Sequence, residues 1–400
     1  MRRAAAAVAL FVGLTAVAAC GPDDPAPAPA AASGSTASSG GAVGTPTAPG
    51  AVPSGTAAGK NAAPRPDGSI TVAFAGDVHF EGRTEARLAV QPPEQALGPL
   101  SRTLADADLS VLNLETAITG RGAPEPKTYT FRTSPKALSA LKDSGVDVVS
   151  MANNHAVDFG ADGLTDTLAA KDSSPIPVVG VGRNAKEAYA PYVTTVRGVK
   201  VAVVAASQVE DLTNQKWRAG ANKPGIASAL DVPALVKAVE AAKQQASVVL
   251  VYLHWGDEGK ACPTGPQTAI AKKLATAGAT AVVGTHAHTM VGSGMLGNTY
   301  IGYGFGNFLW YGTSNYAFSN ETGVTTLTLT SDGKVTGEAF APATIDDKGV
   351  PVPASGATAE AARKRRDALR GCTGLTPAPA GAVAPAGTAA PAAGATGATG

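Results

Sequence analysis

Between residues 69 and 372, short β-branched and apolar runs alternate with stretches in which Ala, Leu and Lys recur at helical spacing. The short runs read as strands and the longer stretches as amphipathic helices, so the pattern is one of βα units. Strands are predicted at 70–75, 110–114, 146–151, 178–181, 193–196, 200–205, 248–253 and 280–283. Helices are predicted at 94–107, 135–144, 162–171, 232–245 and 267–277, with Pro135 after Ser134 and Pro233 near Asp231 marking two of the starts. Beyond Gly297 only strand texture remains, at 299–303, 324–330 and 334–340, with Ser331-Asp332-Gly333 as a turn. Residues 359–371 then read as a terminal helix. The expected fold is an α/β sandwich of three or four layers with mixed sheets, part of it antiparallel.

The flanks differ from this middle. Residues 1–68 and 373–400 are almost entirely Ala, Gly, Pro, Ser and Thr. Such segments bury too little apolar surface to offset chain entropy, and they are expected to be a disordered tether and a disordered tail around a domain at 69–372. Charge in the domain balances at 28 basic and 28 acidic residues. Clustered cations to displace the counterions of a nucleic acid are therefore missing, and no nucleic-acid partner is expected. The Arg363–Arg366 run reads as a solvated helix face rather than a patch for anionic lipid.

Met1-Arg2-Arg3 precedes an uncharged apolar run over 4–19, shorter than the roughly 20 residues of a membrane span. It suits a secretory signal, and Val17-Ala18-Ala19-Cys20 resembles a bacterial lipobox with Cys20 as the lipidated residue. The expectation is an extracytoplasmic bacterial lipoprotein, anchored to the cell membrane by lipid. Cys262 and Cys372 then remain as an even pair in an oxidising compartment. A disulfide between them is expected, the other possibility being two unconnected thiols.

All five histidines fall at the C-terminal ends of predicted strands, where open α/β sheets form their ligand crevice. They are His79 in Asp77-Val78-His79, His155 after Asn153-Asn154, His254 before Trp255, and the pair His286-Ala287-His288. Imidazoles together with Asp and Asn oxygens suit borderline divalent ions such as Zn, Mn or Fe. Asp-x-His and His-x-His on extended chain would place both side chains on one side. Asp77, His79, Glu115, Asn154, His254, His286 and His288 are thus candidate ligands of a two-ion centre. Two ions about 3.5–4 Å apart can hold an oxyanion and lower the pKa of a water. Asn113, Asp158, Glu258 and Asn307 are candidates for the supporting shell, Asp158 as a partner orienting His155 or as a helix N-cap. Of the tryptophans, Trp255 and Trp310 neighbour these motifs and Trp217 does not; packing is the expected role of all three.

The blocks GDVHFEG, NLETAIT, MANNHAVDFG, HWGDE, GTHAH and YGFGNF, in that order over roughly 70–312, resemble the CapA family of capsule and poly-γ-glutamate synthesis. That family is similar in motif plan to the calcineurin-like metallophosphoesterases. The resemblance implies a metallophosphatase-like sandwich with a dinuclear site. Asp77 and His79 match the first metal motif, Glu115 stands at the bridging acid, Asn154 at the asparagine ligand, and His254, His286 and His288 complete the set. His155 matches the neighbouring acid-type histidine, and Asp77 and His155 are the residues expected to carry catalysis. Asn113-Leu114-Glu115 replaces the phosphoesterases' Gly-Asp second motif; Ala117 and Ala287 stand where proline is common, and Gly259 where an aromatic is.

Two functions follow from this resemblance. One is a metal-dependent hydrolase acting on a phosphoester, or a related acyl centre, in extracellular polymer synthesis, with His155 protonating the leaving oxygen. The other is a non-catalytic component of capsule or polyglutamate assembly that grips an anionic polymer beside other synthesis proteins.

Overall fold

The computed structural model describes residues 67–312 and 316–381. The expected signal sequence, the expected lipobox with Cys20 and most of both flanks lie outside the described residues. Two sheets stack face to face. The first runs Pro351–Pro353, Val335–Ile345, Glu321–Leu329, Ile70–Val78, Leu109–Leu114, Val148–Ser150, Val178–Val179, and the short strand Asn307–Leu309 also pairs with Ile70–Val78. Pairing is antiparallel up to Ile70–Val78 and parallel beyond it. The second sheet runs Met290–Leu296, Thr299–Phe305, Ala281–His286, Val248–Trp255, Val199–Ser207, Tyr192–Val196, with a parallel centre and an antiparallel pair at each edge.

Alternation along the strands fills the space between the sheets. Val72, Phe74 and Val111 from one sheet meet Val203, Leu250 and Val283 from the other in a single buried cluster. The Tyr252 hydroxyl crosses that interface and donates to the Ala75 carbonyl at 2.6 Å, satisfying a polar atom that burial would otherwise penalise. The opposite faces are covered by helices. Leu104, Leu138, Leu141 and Leu164 pack on the first sheet, and Leu235, Val239, Ile270 and Leu274 on the second. The layers therefore number four, α/β/β/α.

Helix starts obey local chemistry. Asp231 accepts from the Ala234 amide before Val232–Lys243, and Thr264 forms a reciprocal capping box with Gln267 before Gly265–Thr276. The helix predicted at 94–107 is not continuous. Pro93–Gln95 and Gly98–Leu100 are separate 3-10 turns and only Ser101–Asp106 is α-helical. Pro99 lacks an amide hydrogen, and Gly98 sits at φ 74°, outside helical space.

Ordered structure continues past the predicted boundary at Cys372. Thr376 exchanges backbone hydrogen bonds with Met295, Gly381 donates to Glu338, and Leu375 joins the outer core of the second sheet. The terminal helix Gly356–Leu369 packs against Met290–Leu296 and Val335–Ile345, one strand from each sheet. Its basic run divides, Arg363 and Lys364 lying exposed as expected and Arg365 and Arg366 turning inward. Arg366 is buried against Glu338, Arg365 pairs with Glu321 at 2.7 Å, and Lys364 pairs with Glu360 at 2.7 Å. Cys262 and Cys372 form a disulfide, Cα–Cα 5.8 Å, which ties the end of this helix to the loop after Val248–Trp255.

Candidate metal centre

Strand register assembles the centre. In the first sheet Asp77 is paired with Asn113 on one side and with Asn307 on the other, so three polar side chains stand abreast on adjacent strands. In the second, His254 is paired with Thr285 and Trp255 with His286. A Cβ on Gly76 would lie 2.1 Å from the Gly306 carbonyl oxygen, so glycine is what lets the Asp77 amide reach that oxygen at 3.0 Å.

The His-x-His pair converges by a different route from the strand alternation expected. His286 and His288 have φ of 95° and 52°, a left-handed conformation that costs a β-carbon residue energy and clusters at functional sites. Their ring centroids lie 5.9 Å apart, and His286 is 4.8 Å from His254.

Asn113 Nδ2 donates to Asp77 Oδ1 at 2.8 Å and lies 3.2 Å from His254 Nδ1. Asn153 Nδ2 in turn donates to Asn113 Oδ1 at 2.9 Å, which sets the orientation of the Asn113 amide. His254 Nε2 lies 2.7 Å from Asn154 Oδ1 and 3.3 Å from Glu115 Oε1. His288 Nδ1 lies 2.8 Å from Asn307 Oδ1 and 3.5 Å from Asp77 Oδ2, which also accepts the His286 amide at 3.2 Å.

Burial and neighbouring charges shift these groups together, opposing each other at Asp77 and His288 and acting in the same direction at Glu115. Burial would raise the Asp77 carboxyl, but the hydrogen bond of His288 and the charges of His254 and His288 hold it well below the usual carboxylate range. Burial, reinforced by the Asp77 charge, pushes Glu115 well above its ordinary value. Burial lowers His254 to about 4 and His286 well below the normal imidazole range. His288 goes the other way: burial would depress it, yet the hydrogen bond of Asp77 and the charge of Glu115 lift it to about 9.

These residues fit divalent cations. Both Glu115 oxygens and His286 Nδ1 are buried without a hydrogen-bond partner. A buried carboxylate that accepts no hydrogen bond is expensive, and a cation is a counterpart that removes the cost. Potential ligand atoms of Glu115, His254 and His286 lie within 4.8 Å of one another, as do those of Asp77, Glu115 and His288, and of Glu258, His286 and His288. Glu115 is common to the first two groups, and the Asn154 oxygen lies beside the first.

His79 belongs to none of the three groups. Its ring stacks on Phe131 at 4.8 Å with Trp310 and Tyr311 at its edges, and its two nitrogens face the amides of Glu81 and Tyr311 at 3.1 and 3.3 Å. Glu258 is exposed, and its carboxylate takes the Tyr316 hydroxyl.

His155 stands beside the ligand cluster, Nε2 3.9 Å from Glu115 Oε1, with Phe131 stacked on its ring at 4.2 Å. Its Nδ1 is 2.6 Å from Asp158 Oδ2, and Asp158 caps no helix: the following helix Gly160–Asp172 has no side-chain cap. Lys127 Nζ lies 2.7 Å from Asp158 Oδ1 and also donates to the Asn154 carbonyl. Burial lifts Asp158 to about 6 against the opposing Lys127 charge. Burial and that same charge push His155 down. Lys127, Asn153 and Thr285 carry no weight in the sequence reading. Asn153 lies inside one of the quoted blocks, but Lys127 sits on a loop between two of them, eight residues past Thr119, where no motif marks it.

A cleft of about 310 Å³ opens over the centre, with His155, His288, Asn307 and Glu258 at its floor and side and Phe131, Trp310 and Tyr311 among its walls. Trp310 is therefore at the cleft. Trp255 is buried, its indole donating to the Tyr303 carbonyl at 2.8 Å, and Trp217 donates to Glu125.

Fold and site together define a four-layered α/β/β/α protein with a buried Asp/Glu/His centre suited to divalent metal at its strand ends. The family described as "Bacterial capsule synthesis protein PGA_cap" matches residues 71–311, and the chain belongs to that family. It is 28% identical over 250 residues to the PGA biosynthesis protein CapA of Bacillus subtilis, covering 61% of this chain and 64% of the relative. It is 32% identical over 182 residues to the capsule biosynthesis protein CapA of Bacillus anthracis, covering 44% and 42%. The matches thus span less than two thirds of either relative's length. Among solved structures it is similar to a calcineurin-like phosphoesterase of Bacillus subtilis, with TM-score 0.45, 16% identity, and coverage of 76% of this chain and 98% of the other.

Proposed function

We propose that the protein is a metal-dependent hydrolase of the phosphoesterase type, acting on an anionic phosphoester during synthesis of an extracellular polymer. The observation that carries this reading is Glu115, a buried carboxylate with both oxygens unpartnered, among His254, His286 and Asp77. Asp77, Glu115, Asn154, His254, His286 and His288 would hold two divalent ions, of Mn, Fe or Zn type. Bound there, such ions supply Lewis acidity toward a phosphoryl oxygen and toward water.

The chain's own residues do the rest. With Nδ1 held by Asp158, His155 presents Nε2 to the leaving oxygen, and it would pass a proton there from its imidazolium form, which the Asp158 carboxylate favours. Asn113 and Asn307 fix the carboxylate and imidazole orientations, and the aromatic walls limit water around the bound ester. The lipobox supports placing the protein outside the cytoplasmic membrane, anchored through Cys20, where partners of a capsule or polyglutamate pathway would meet it. The names of the two relatives support that pathway.

The test is hydrolysis of a chromogenic phosphodiester by the Mn²⁺-supplied protein, with Asp77→Asn and His286→Ala beside wild type and metal content measured on all three. Wild-type turnover lost in both variants is expected. Equal, near-zero rates in a wild type that holds stoichiometric metal would reject hydrolysis and assign the centre to gripping the polymer. Loss of membrane association in Cys20→Ser is the expected result for the anchor, and an unchanged distribution would reject it.

A further inference from the structure

Counting donors around the centre leaves one place short. The group of Glu115, His254 and His286, with Asn154 beside it, is rich in nitrogen and nearly complete. The group of Asp77, Glu115 and His288 has three members, and the fourth expected from the motif was His79. His79 is held elsewhere: the ring nitrogen free to bind a cation already faces a backbone amide that the cation would displace, and three aromatic rings fix the imidazole where it is.

We propose that Glu258, and not His79, completes the second cation position. The proposal rests on the metal-centre reading above. Glu258 has a potential ligand atom within 4.8 Å of those of His286 and His288. The unpartnered, buried His286 Nδ1 is an independent sign that a cation belongs in this region.

The loop bearing Glu258 is built to stay. The next residue, Gly259, donates its amide to the carbonyl of Ala287, between the two histidines, at 2.8 Å. Gly259 has φ 71°, and a Cβ there would lie 2.5 Å from the Tyr316 ring, so glycine permits both the turn and the Tyr316 contact. Tyr316 donates to Glu258 Oε2, which leaves Oε1 as the freer oxygen. Cys262, four residues on, is tied to Cys372.

The consequence is an asymmetric centre. Glu258 enters through His288, the member its group shares with Asp77 and Glu115, so the second position gains a carboxylate while His286 stands between the two positions. Carboxylate-rich sets suit harder ions such as Mn²⁺, whereas imidazole suits Zn²⁺ and Fe²⁺.

The experiment is Mn²⁺ titration of the chelator-stripped full chain by calorimetry and by electron paramagnetic resonance, with wild type, Glu258→Gln and His79→Gln. Thermal melts check that each is folded. Wild type is expected to take two equivalents and His79→Gln also two. Glu258→Gln is expected to keep one and to weaken the other by more than the about 10–100-fold that loss of an outer-shell partner costs. Two undiminished equivalents in Glu258→Gln, or loss of both together, would overturn the assignment, as would loss of one in a folded His79→Gln. If His79→Gln does not fold, Glu258→Gln decides alone. A wild type that binds no Mn²⁺ at all would reject the metal-centre reading itself and the present assignment with it.

Discussion

His155 and Asp158 are joined at 2.6 Å between Nδ1 and Oδ2, and the other oxygen of Asp158 is held by Lys127 at 2.7 Å. The carboxylate selects the imidazole tautomer, and the ammonium fixes the carboxylate. Asp158→Asn is therefore expected to lower kcat for the chromogenic diester by about 10–100-fold, the usual cost of losing an orienting partner, with metal content unchanged. Lys127→Met should move kcat the same way, and Lys127→Arg should recover part of it. Unaltered kcat in a folded Asp158→Asn would show that His155 does not handle the proton.

Metal removal should expose a pH dependence of stability. His288 in the folded, metal-free chain is raised to about 9 from 6.5, so the stability it contributes is complete below pH 6.5 and lost as pH rises through about 9. Glu115, also raised, loses stability in the same direction. His254 and His286, buried and neutral, act oppositely, but only below pH 6.5. Metal binding, by contrast, strengthens as competing protons leave. The gap in Tm between Mn²⁺-loaded and chelator-treated protein is expected to widen from pH 6.5 to 9. Parallel curves across that window would count against the coupling.

Arg366 and Glu338 form a buried pair beneath the terminal helix, joined by the Tyr300 hydroxyl, which donates to Glu338 at 2.6 Å. Replacing one member leaves the other charge buried alone. Arg366→Met should cost about 3–5 kcal/mol of unfolding free energy in denaturant titration, while the double variant Arg366→Met/Glu338→Leu recovers most of it. A loss under 1 kcal/mol in the single variant would mean that water reaches the Glu338 carboxylate.

The disulfide closes a sequence separation of 110 residues between the Glu258 loop and the end of the terminal helix. Cys262→Ser/Cys372→Ser is expected to lose about 2–4 kcal/mol in the same titration. Equal midpoints with and without reductant in the wild type would show that the bridge contributes nothing to stability.

Much of the architecture was legible along the chain, because strands buried on both faces leave uninterrupted apolar runs such as 248–253. Elements with weaker periodicity were not. Met290–Leu296 contains two glycines, Asn307–Leu309 has three residues, and both are strands only because a neighbour supplies the ladder. Residues 373–381 read as tail, since Ala and Pro carry no period, yet Leu375 and Thr376 find partners on the second sheet.

The amino-acid order alone determined that ligand-type side chains would gather where the parallel strands end, since strand ends share one edge of an α/β sheet. Tertiary structure decided which atoms actually face each other. His79 has the right residue type and spacing, but one step past the strand its ring is claimed by Phe131, Trp310 and Tyr311. Lys127 and Asn153 enter the centre through contacts with residues far away or on other strands. The reason is physical: period governs direction only while backbone dihedrals repeat. Where those dihedrals break, at His286 on the last ladder position and at His288 beyond it, direction is set by packing from the rest of the chain.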